Sequence, residues 1–220
     1  HGKSIASTLS CEAPLLARAT HDEFGLMILL VGGAGGPLGG DDLRLEVRVD
    51  AGAEVRIRSI AAMIAQPDPC GSISHLHTDL EVGANATVDW CSRPLISANR
   101  SKHRSVTMVR HHPSASVRLV ESLVLGRHEE RGGDIAMRQR IESGSDLVLD
   151  HEILLGDEIF HSPGAHGELK WVWSEYQSHP PHDYEPKSHV DVNRVDCTLQ
   201  LEPRGLLTVR SGINTSDIGS

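Results

Sequence analysis

The sequence predicts an all-β protein in which stacked β-hairpins form an extended superhelical or solenoid-like β scaffold with at most two short helices. Three observations predict this class. Apolar and charged residues alternate along several segments, turns of small residues recur at a nearly constant spacing, and little of the chain has a helical pattern. Aromatic residues make up only 3% of the chain, so its core must rest on Val, Leu, Ile and Ala, which favours strands.

The clearest alternation runs from Leu43 to Asp50, where every odd position is apolar and every even position is charged. A period of two is typical of a strand with one buried face. The run Ala51-Gly52-Ala53 then predicts a turn, and the alternation resumes at Val55 and Ile57. We therefore interpret the segment as a β-hairpin.

Similar units recur along the chain. Their predicted turn centres lie near positions 52, 83, 114, 144 and 205, so the first four are 31, 31 and 30 residues apart and the last gap is 61. Regular spacing predicts stacked β units within a single domain over residues 1–220. A degenerate unit near Glu175 and an irregular Pro/His-rich insertion at about 161–189 account for the long gap. An ordinary β-sandwich with coincidental spacing is the alternative.

Composition excludes several classes of protein. The net charge of −9 disfavours nucleic-acid binding and suits metal cations or a basic partner. A membrane-spanning helix needs about 20 apolar residues, and the sequence has no such run, so no membrane association is expected. The four widely spaced cysteines predict reduced thiols in a cytoplasmic protein, with a Cys70–Cys91 disulfide as the alternative.

A glycine-rich loop at residues 32–42 precedes the first alternating strand. It does not fit the dinucleotide-binding pattern G-x-G-x-x-G, because Leu38 stands where the third glycine is required. It also leads into a strand, so no helix N-terminus is available to bind a phosphate. We therefore expect the loop to shape a turn.

The run Gly35-Gly36-Pro37-Leu38-Gly39-Gly40-Asp41-Asp42 resembles the G-G-x-x-x-G-D motif of the urease accessory protein D (UreD/UreH) family. The unit that follows it and the segment Val120–Arg127 are also similar to that family, in a divergent branch of the actinobacterial type. The resemblance implies a urease maturation factor that acts as a scaffold and not as an enzyme. It implies no tightly bound cofactor, with nickel in transit through an acid-lined internal tunnel. The implied partners are the accessory proteins F and G (a GTPase) and the urease apoprotein, and a dimer within that complex is compatible with it.

Four acidic residues are the nickel-path candidates that the resemblance implies: Asp41, Glu46, Glu121 and Glu152. Asp42 is the alternative match to the aspartate of the family motif. Alternation singles out Glu121, because its strand face is otherwise apolar, and a carboxylate there must be paired, hydrogen-bonded or in contact with water. A structural glutamate bonded to an arginine or to the backbone is the alternative.

His75 and His77 are metal-ligand candidates, since residues two apart on a strand share a face. A solvent-exposed polar row is the alternative interpretation, because Asp79 and Glu81 continue it. Two other functions stay open: a secreted β-solenoid binding module, and a metal-dependent β-barrel enzyme that uses His75 and His77. The sequence shows no nucleophile motif of the G-x-S-x-G type.

Overall fold

The computed structural model describes residues 3–156, 169–180, 188–190, 194–202 and 205–215. These residues form sixteen β-strands. The first eight are β1 (Leu15–Asp22), β2 (Gly25–Gly32), β3 (Asp42–Val49), β4 (Glu54–Ser59), β5 (Met63–Ala65), β6 (Ser74–Val82), β7 (Thr87–Cys91) and β8 (Leu95–Ser97). The other eight are β9 (Lys102–His111), β10 (Ser116–Leu125), β11 (Asp134–Ser143), β12 (Asp146–Leu155), β13 (Trp171–Gln177), β14 (Ser188–Val190), β15 (Arg194–Gln200) and β16 (Leu206–Gly212).

The strands form two sheets that enclose the core between them. The large sheet has eleven strands in the order β1-β2-β4-β7-β10-β13-β16-β15-β14, with β8 also paired to β10 and β5 paired to β8. The small sheet has five strands in the order β12-β11-β9-β6-β3. The described residues contain no α-helix, so the predicted all-β, solenoid-like class is confirmed.

The first three repeat units cross between the sheets. β3, β6 and β9 lie side by side and parallel in the small sheet, whereas the strands that follow them, β4, β7 and β10, are parallel neighbours in the large sheet. Each unit is therefore one turn of a solenoid. The predicted hairpin pairing is wrong for these three units, because each strand pairs with its equivalent in the next unit. The units with turns near 144 and 205 are antiparallel hairpins, β11–β12 and β15–β16.

The turns of successive units are bonded to one another. The amide of Gly52 donates to the carbonyl of Ala84 at 2.9 Å, and that of Gly83 donates to the carbonyl of Val49 at 2.8 Å. One turn further along, the amide of Asn85 donates to Oγ of Ser114 at 3.0 Å. These bonds hold the units in register, and they explain the nearly constant spacing of the turns.

The core between the sheets contains two apolar clusters. The larger one includes Ile57, Leu80, Val109 and Leu119, and the smaller one includes Leu123 and Met137 among others. All four cysteines are free, so the alternative Cys70–Cys91 disulfide is not formed. Within the described ranges, no helix is long and apolar enough to cross a membrane. Residues 161–168 and 181–187 of the predicted insertion lie outside the described residues, and residues between them form β13.

Candidate functional site

Glu121 is the centre of a polar group inside the solenoid. It lies on β10 and points toward the small sheet, where Oγ1 of Thr107 on β9 donates to its Oε1 at 2.7 Å. The side-chain amide of Gln139 on β11 donates to its Oε2 at 2.7 Å. Thr107 and Gln139 are fully buried, with 1% and 0% of their surfaces exposed. Both carboxylate oxygens are therefore held by neutral donors from the opposite sheet.

Gln139 connects Glu121 to two further polar side chains. Its Oε1 accepts hydrogen bonds from Oγ of Ser174 on β13 at 2.8 Å and from Nε2 of His151 on β12 at 2.7 Å. Since the Oε1 atom can only accept, His151 carries a proton on Nε2. The chain of bonds therefore runs from Glu121 through Gln139 to His151 on the edge strand of the small sheet.

These side chains lie at one level of the stack. Thr78, Thr107, Gln139 and His151 are direct cross-strand neighbours on β6, β9, β11 and β12. Glu121 and Ser174 are neighbours on the large sheet. We call these six residues the polar layer. It follows the solenoid axis, because it passes from one strand to the next and not along a single strand.

Apolar residues flank the polar layer on both sides. Two residues away on one side are Val109, Leu119 and Ile141, which belong to the larger apolar cluster. Two residues away on the other side are Leu123 and Met137, which belong to the smaller cluster. The polar layer thus separates two apolar regions that would otherwise form one continuous core.

The electrostatic state of Glu121, a partly buried carboxylate, is unusual for a residue between two sheets. Burial raises its pKa above the ordinary value, and the hydrogen bonds from Gln139 and Thr107 oppose that shift. Among the described residues, no Lys or Arg forms an ion pair with it. Because an uncompensated buried charge is costly, this carboxylate is suited to hold a proton or to meet a cation. Burial also lowers the pKa of His151, although the nearby Asp150 opposes this.

Comparison with known proteins identifies the family. A sequence model described as UreD urease accessory protein matches residues 1–182. The chain belongs to the UreD urease accessory protein family. The prediction from the glycine loop is therefore confirmed, and actinobacterial relatives agree with the branch that the sequence indicated.

Three relatives show the extent of the similarity. A urease accessory protein UreD from Parafrankia sp. is 35% identical over 64% of this chain and 48% of its own length. One from Streptomyces avermitilis is 34% identical over 76% of this chain and 64% of its own length. UreD 1 from Streptomyces griseus is 32% identical over 83% of this chain and 74% of its own length. The chain thus spans about half the length of some of these relatives.

The glycine loop of this UreD-family chain has a structural role, because it packs against a neighbouring segment of the chain. A Cβ atom on Gly39 would lie 2.6 Å from the carboxylate of Asp68, and the backbone of Gly39 and Pro37 bonds to that of Gln66. Gly36 and Gly40 have φ angles of +152° and +89°, and a Cβ on Gly35 would meet nothing within 4 Å. The loop therefore fits closely against the 66–72 segment.

Of the four predicted nickel-path residues, only Glu121 lies in the polar layer. Oδ2 of Asp41 accepts from the amide of Leu38 at 2.8 Å and so stabilises the glycine loop itself. Glu46 and Glu152 are exposed on the outer face of the small sheet, and Glu152 lies 3.7 Å from Arg104. The structure therefore places Asp41 in the glycine loop, and Glu46 and Glu152 on the outer sheet face, outside the polar layer. Asp42, the first residue of β3, is also exposed.

Sequence reasoning missed Gln139 and His151. On β12 the inward residues are Leu149, His151 and Ile153, so strand parity favours His151 over the adjacent Glu152. Gln139 stands between the buried residues Met137 and Ile141 on β11. The signal was a polar residue in an apolar alternating row, which is the same signal that selected Glu121.

His75 and His77 lie on the outer face of β6, together with Asp79 and Glu81. Their rings are stacked, with centroids 6.0 Å apart and an interplanar angle of 7°. Nε2 of His77 is 3.9 Å from Oδ1 of Asp42. In the part of the chain that the structure describes, no three His, Cys, Asp or Glu residues are grouped to hold a metal ion. Within the described ranges, the pair offers two surface imidazoles without a third strong ligand.

Proposed function

We propose that this UreD-family chain is a urease maturation factor that acts as a scaffold and not as an enzyme. With accessory proteins F and G it delivers nickel into apo-urease, and the nickel passes through the polar layer. Membership of the family supports the role in urease maturation. The observation that carries the path is Glu121, a partly buried carboxylate that is held by neutral donors and has no cationic partner among the described residues.

The donors of the polar layer suit a cation in transit. They offer one carboxylate, two threonine hydroxyls, a serine hydroxyl, an amide and one imidazole. Ni²⁺ binds imidazole and carboxylate well, and a tight site would need several such ligands in a fixed geometry. Glu121 and His151 are instead separated by Gln139, so a nickel ion would contact one after the other. This arrangement favours exchange over storage.

The acidic character of the chain supports the same role. A net charge of −9 raises the local concentration of divalent cations around the scaffold, and it also attracts basic surfaces of partner proteins. Membership of a urease accessory protein family supports association with urease and with other accessory proteins, and the proposed partners are accessory proteins F and G and the urease apoprotein.

A complementation experiment tests the proposal. Urease is expressed with its accessory proteins in cells that lack their own UreD, with and without this chain. Nickel in the purified urease is then measured by atomic absorption. We expect nickel loading to depend on the chain. Equal nickel content without it would overturn the proposed function.

The His75→Ala/His77→Ala double variant separates this proposal from a metal-dependent enzyme. Both side chains lie on the outer sheet face, away from the polar layer, so urease loading by the double variant should equal that of the wild type. Loss of loading in a well-folded double variant would place the nickel route on the outer surface.

A further inference from the structure

The inward face of β9 is polar over four successive positions. Ser101, just before the strand, and His103, Ser105 and Thr107 within it are 1%, 2%, 5% and 1% exposed. Core strands normally place apolar residues on the inward face. Successive inward residues on a strand are about 6.7 Å apart, so this row reaches roughly 20 Å from the end of the strand to the polar layer.

The contacts of Ser74 favour one tautomer of the His103 imidazole. Its Nδ1 lies 2.8 Å from Oγ of Ser74 on β6, and the same Oγ lies 3.3 Å from the carbonyl of Lys102. The Ser74 hydroxyl has one proton, and the carbonyl can only accept it. We therefore assign the proton of His103 to Nδ1, with Ser74 as its acceptor and a lone pair on Nε2.

That Nε2 atom is enclosed and has no hydrogen-bond partner in the described structure. Burial lowers the pKa of His103 to about 4, with His75 contributing, so the ring is neutral at physiological pH. A buried polar atom without a partner requires an explanation, and a water molecule or an ion is the usual one. A neutral imidazole whose other nitrogen is held by a hydroxyl is also the common arrangement of a metal-binding histidine.

We propose that Nε2 of His103 is a transient ligand for Ni²⁺ on a side branch that follows β9 through Ser105 to Glu121. The identity of the metal rests on the proposed function, whereas the position and tautomer of the ligand rest on the contacts of His103 and Ser74. Binding displaces no proton, because the lone pair is already free. Ser74 is a positioning residue, since it orients the ring and does not meet the metal.

The site holds a cation less tightly than a site with three metal-ligating side chains would. No group of three metal-ligating side chains exists in the described part of the chain, so His103 would act with hydroxyls or water. A single imidazole would bind a cation only briefly as it moves between the surface and the carboxylate of Glu121.

Histidine-selective ¹⁵N NMR on the whole chain tests this inference. The His75→Gln/His77→Gln background is used, because it removes the surface pair near His103. We expect two-bond ¹H–¹⁵N correlations to show His103 protonated on Nδ1. Addition of Ni²⁺ alone should then broaden the ring signals of His103 at a lower concentration than those of exposed histidines such as His128. A proton on Nε2, or ring signals that persist after the exposed histidines broaden, would overturn the inference and leave an ordered water as the occupant.

Two serine variants provide a matched comparison. Ser74→Ala removes the partner of Nδ1 and should raise the Ni²⁺ concentration that broadens His103 by roughly tenfold or more, as loss of such partners does elsewhere. Ser101→Ala removes a buried hydroxyl from the same row, which bonds to Ser97 and not to the imidazole, and should leave that concentration unchanged. Equal effects of both variants would contradict the role of Ser74.

The NMR result is independent of urease. If Ni²⁺ reaches His103 but nickel loading does not require the chain, the proposed function fails and the metal site stands. If loading requires the chain but His103 does not respond, this inference fails and the proposed function stands.

Discussion

Glu121 illustrates how single residues set the properties of this interior. Its carboxylate is bonded only to a hydroxyl and an amide, and no arginine or lysine among the described residues compensates its charge. Among the described residues, Glu121 therefore bonds neither to an arginine nor to the backbone, which were the partners in the alternative that the sequence left open. Its donors are neutral and do not compensate the charge of the carboxylate.

Glu121 should make the stability of the protein depend on pH. Burial raises its pKa in the folded state above the ordinary value of 4.5. The resulting stabilisation is fully present below that value and is lost as the pH rises through the raised pKa. Glu121→Gln keeps the shape of the side chain without the charge. We therefore expect the Tm of the variant minus that of the wild type to become more positive as the pH rises from acidic to neutral.

Differential scanning calorimetry of both proteins across this range measures the effect. Glu152→Gln is the matched control, since Glu152 is exposed on the outer sheet face. A Tm difference between Glu121→Gln and the wild type that does not change with pH would contradict the buried, cation-free state of Glu121.

The buried pair of His111 and Tyr176 should contribute to the stability of the fold and not to nickel delivery. Nε2 of His111 lies 3.0 Å from the hydroxyl of Tyr176, and its Nδ1 lies 3.0 Å from the carbonyl of His112. Tyr176→Phe leaves Nε2 of His111 buried without a donor, which should lower the free energy of unfolding by about 1–3 kcal/mol. Urea unfolding checks the value. In a double-mutant cycle with His111→Phe, the two effects should be non-additive, and simple additivity would contradict the contact.

At the residue scale, sequence alternation found Glu121 but not its partners. A lone carboxylate in an apolar row is conspicuous, whereas Gln139 and His151 become meaningful only when strands β11 and β12 are placed beside β9. That placement depends on pairing between strands of different units, which no local pattern specifies.

At the scale of elements, the turns were predictable and the pairing was not. Alternation followed by a small-residue turn fits a hairpin and a pair of strands in two different sheets equally well, so the pattern cannot distinguish them. The regular spacing of about 31 residues was the better guide, because parallel stacking pairs equivalent positions 33 or 29 residues apart, such as Asp42 with His75 and Ser74 with His103. Three units therefore form solenoid turns where hairpins were expected.

The stacked turns predict a specific sensitivity at Gly83. A Cβ atom there would lie 2.7 Å from the backbone nitrogen of Ala51 in the preceding turn. Gly83→Ala should therefore force two turns apart and lower the free energy of unfolding by about 1–3 kcal/mol, as overpacking does. Gly35→Ala is the control, since a Cβ at Gly35 meets nothing within 4 Å. Equal stability of the two variants in urea unfolding would contradict the close stacking of the turns.

At the scale of the whole molecule, the two sheets enclose one polar layer between two apolar regions. The fold class and the family could be predicted from alternation, turn spacing and the glycine loop. The course of the polar layer could not, because it passes through strands that are distant in sequence. Glu46 and Glu152 show most clearly what the sequence could not predict. Both are acidic and lie on strands, but they face outward.

The most direct test of the account compares Glu121→Gln with Glu152→Gln in urease maturation. Each variant replaces the wild-type chain during expression of urease with its accessory proteins, and the nickel content of the purified urease is measured. Loss of the buried carboxylate should reduce nickel loading by roughly tenfold, as loss of a group that tunes a metal site does. Glu152→Gln should load urease normally. Normal loading by a folded Glu121→Gln chain would contradict a nickel path through the polar layer.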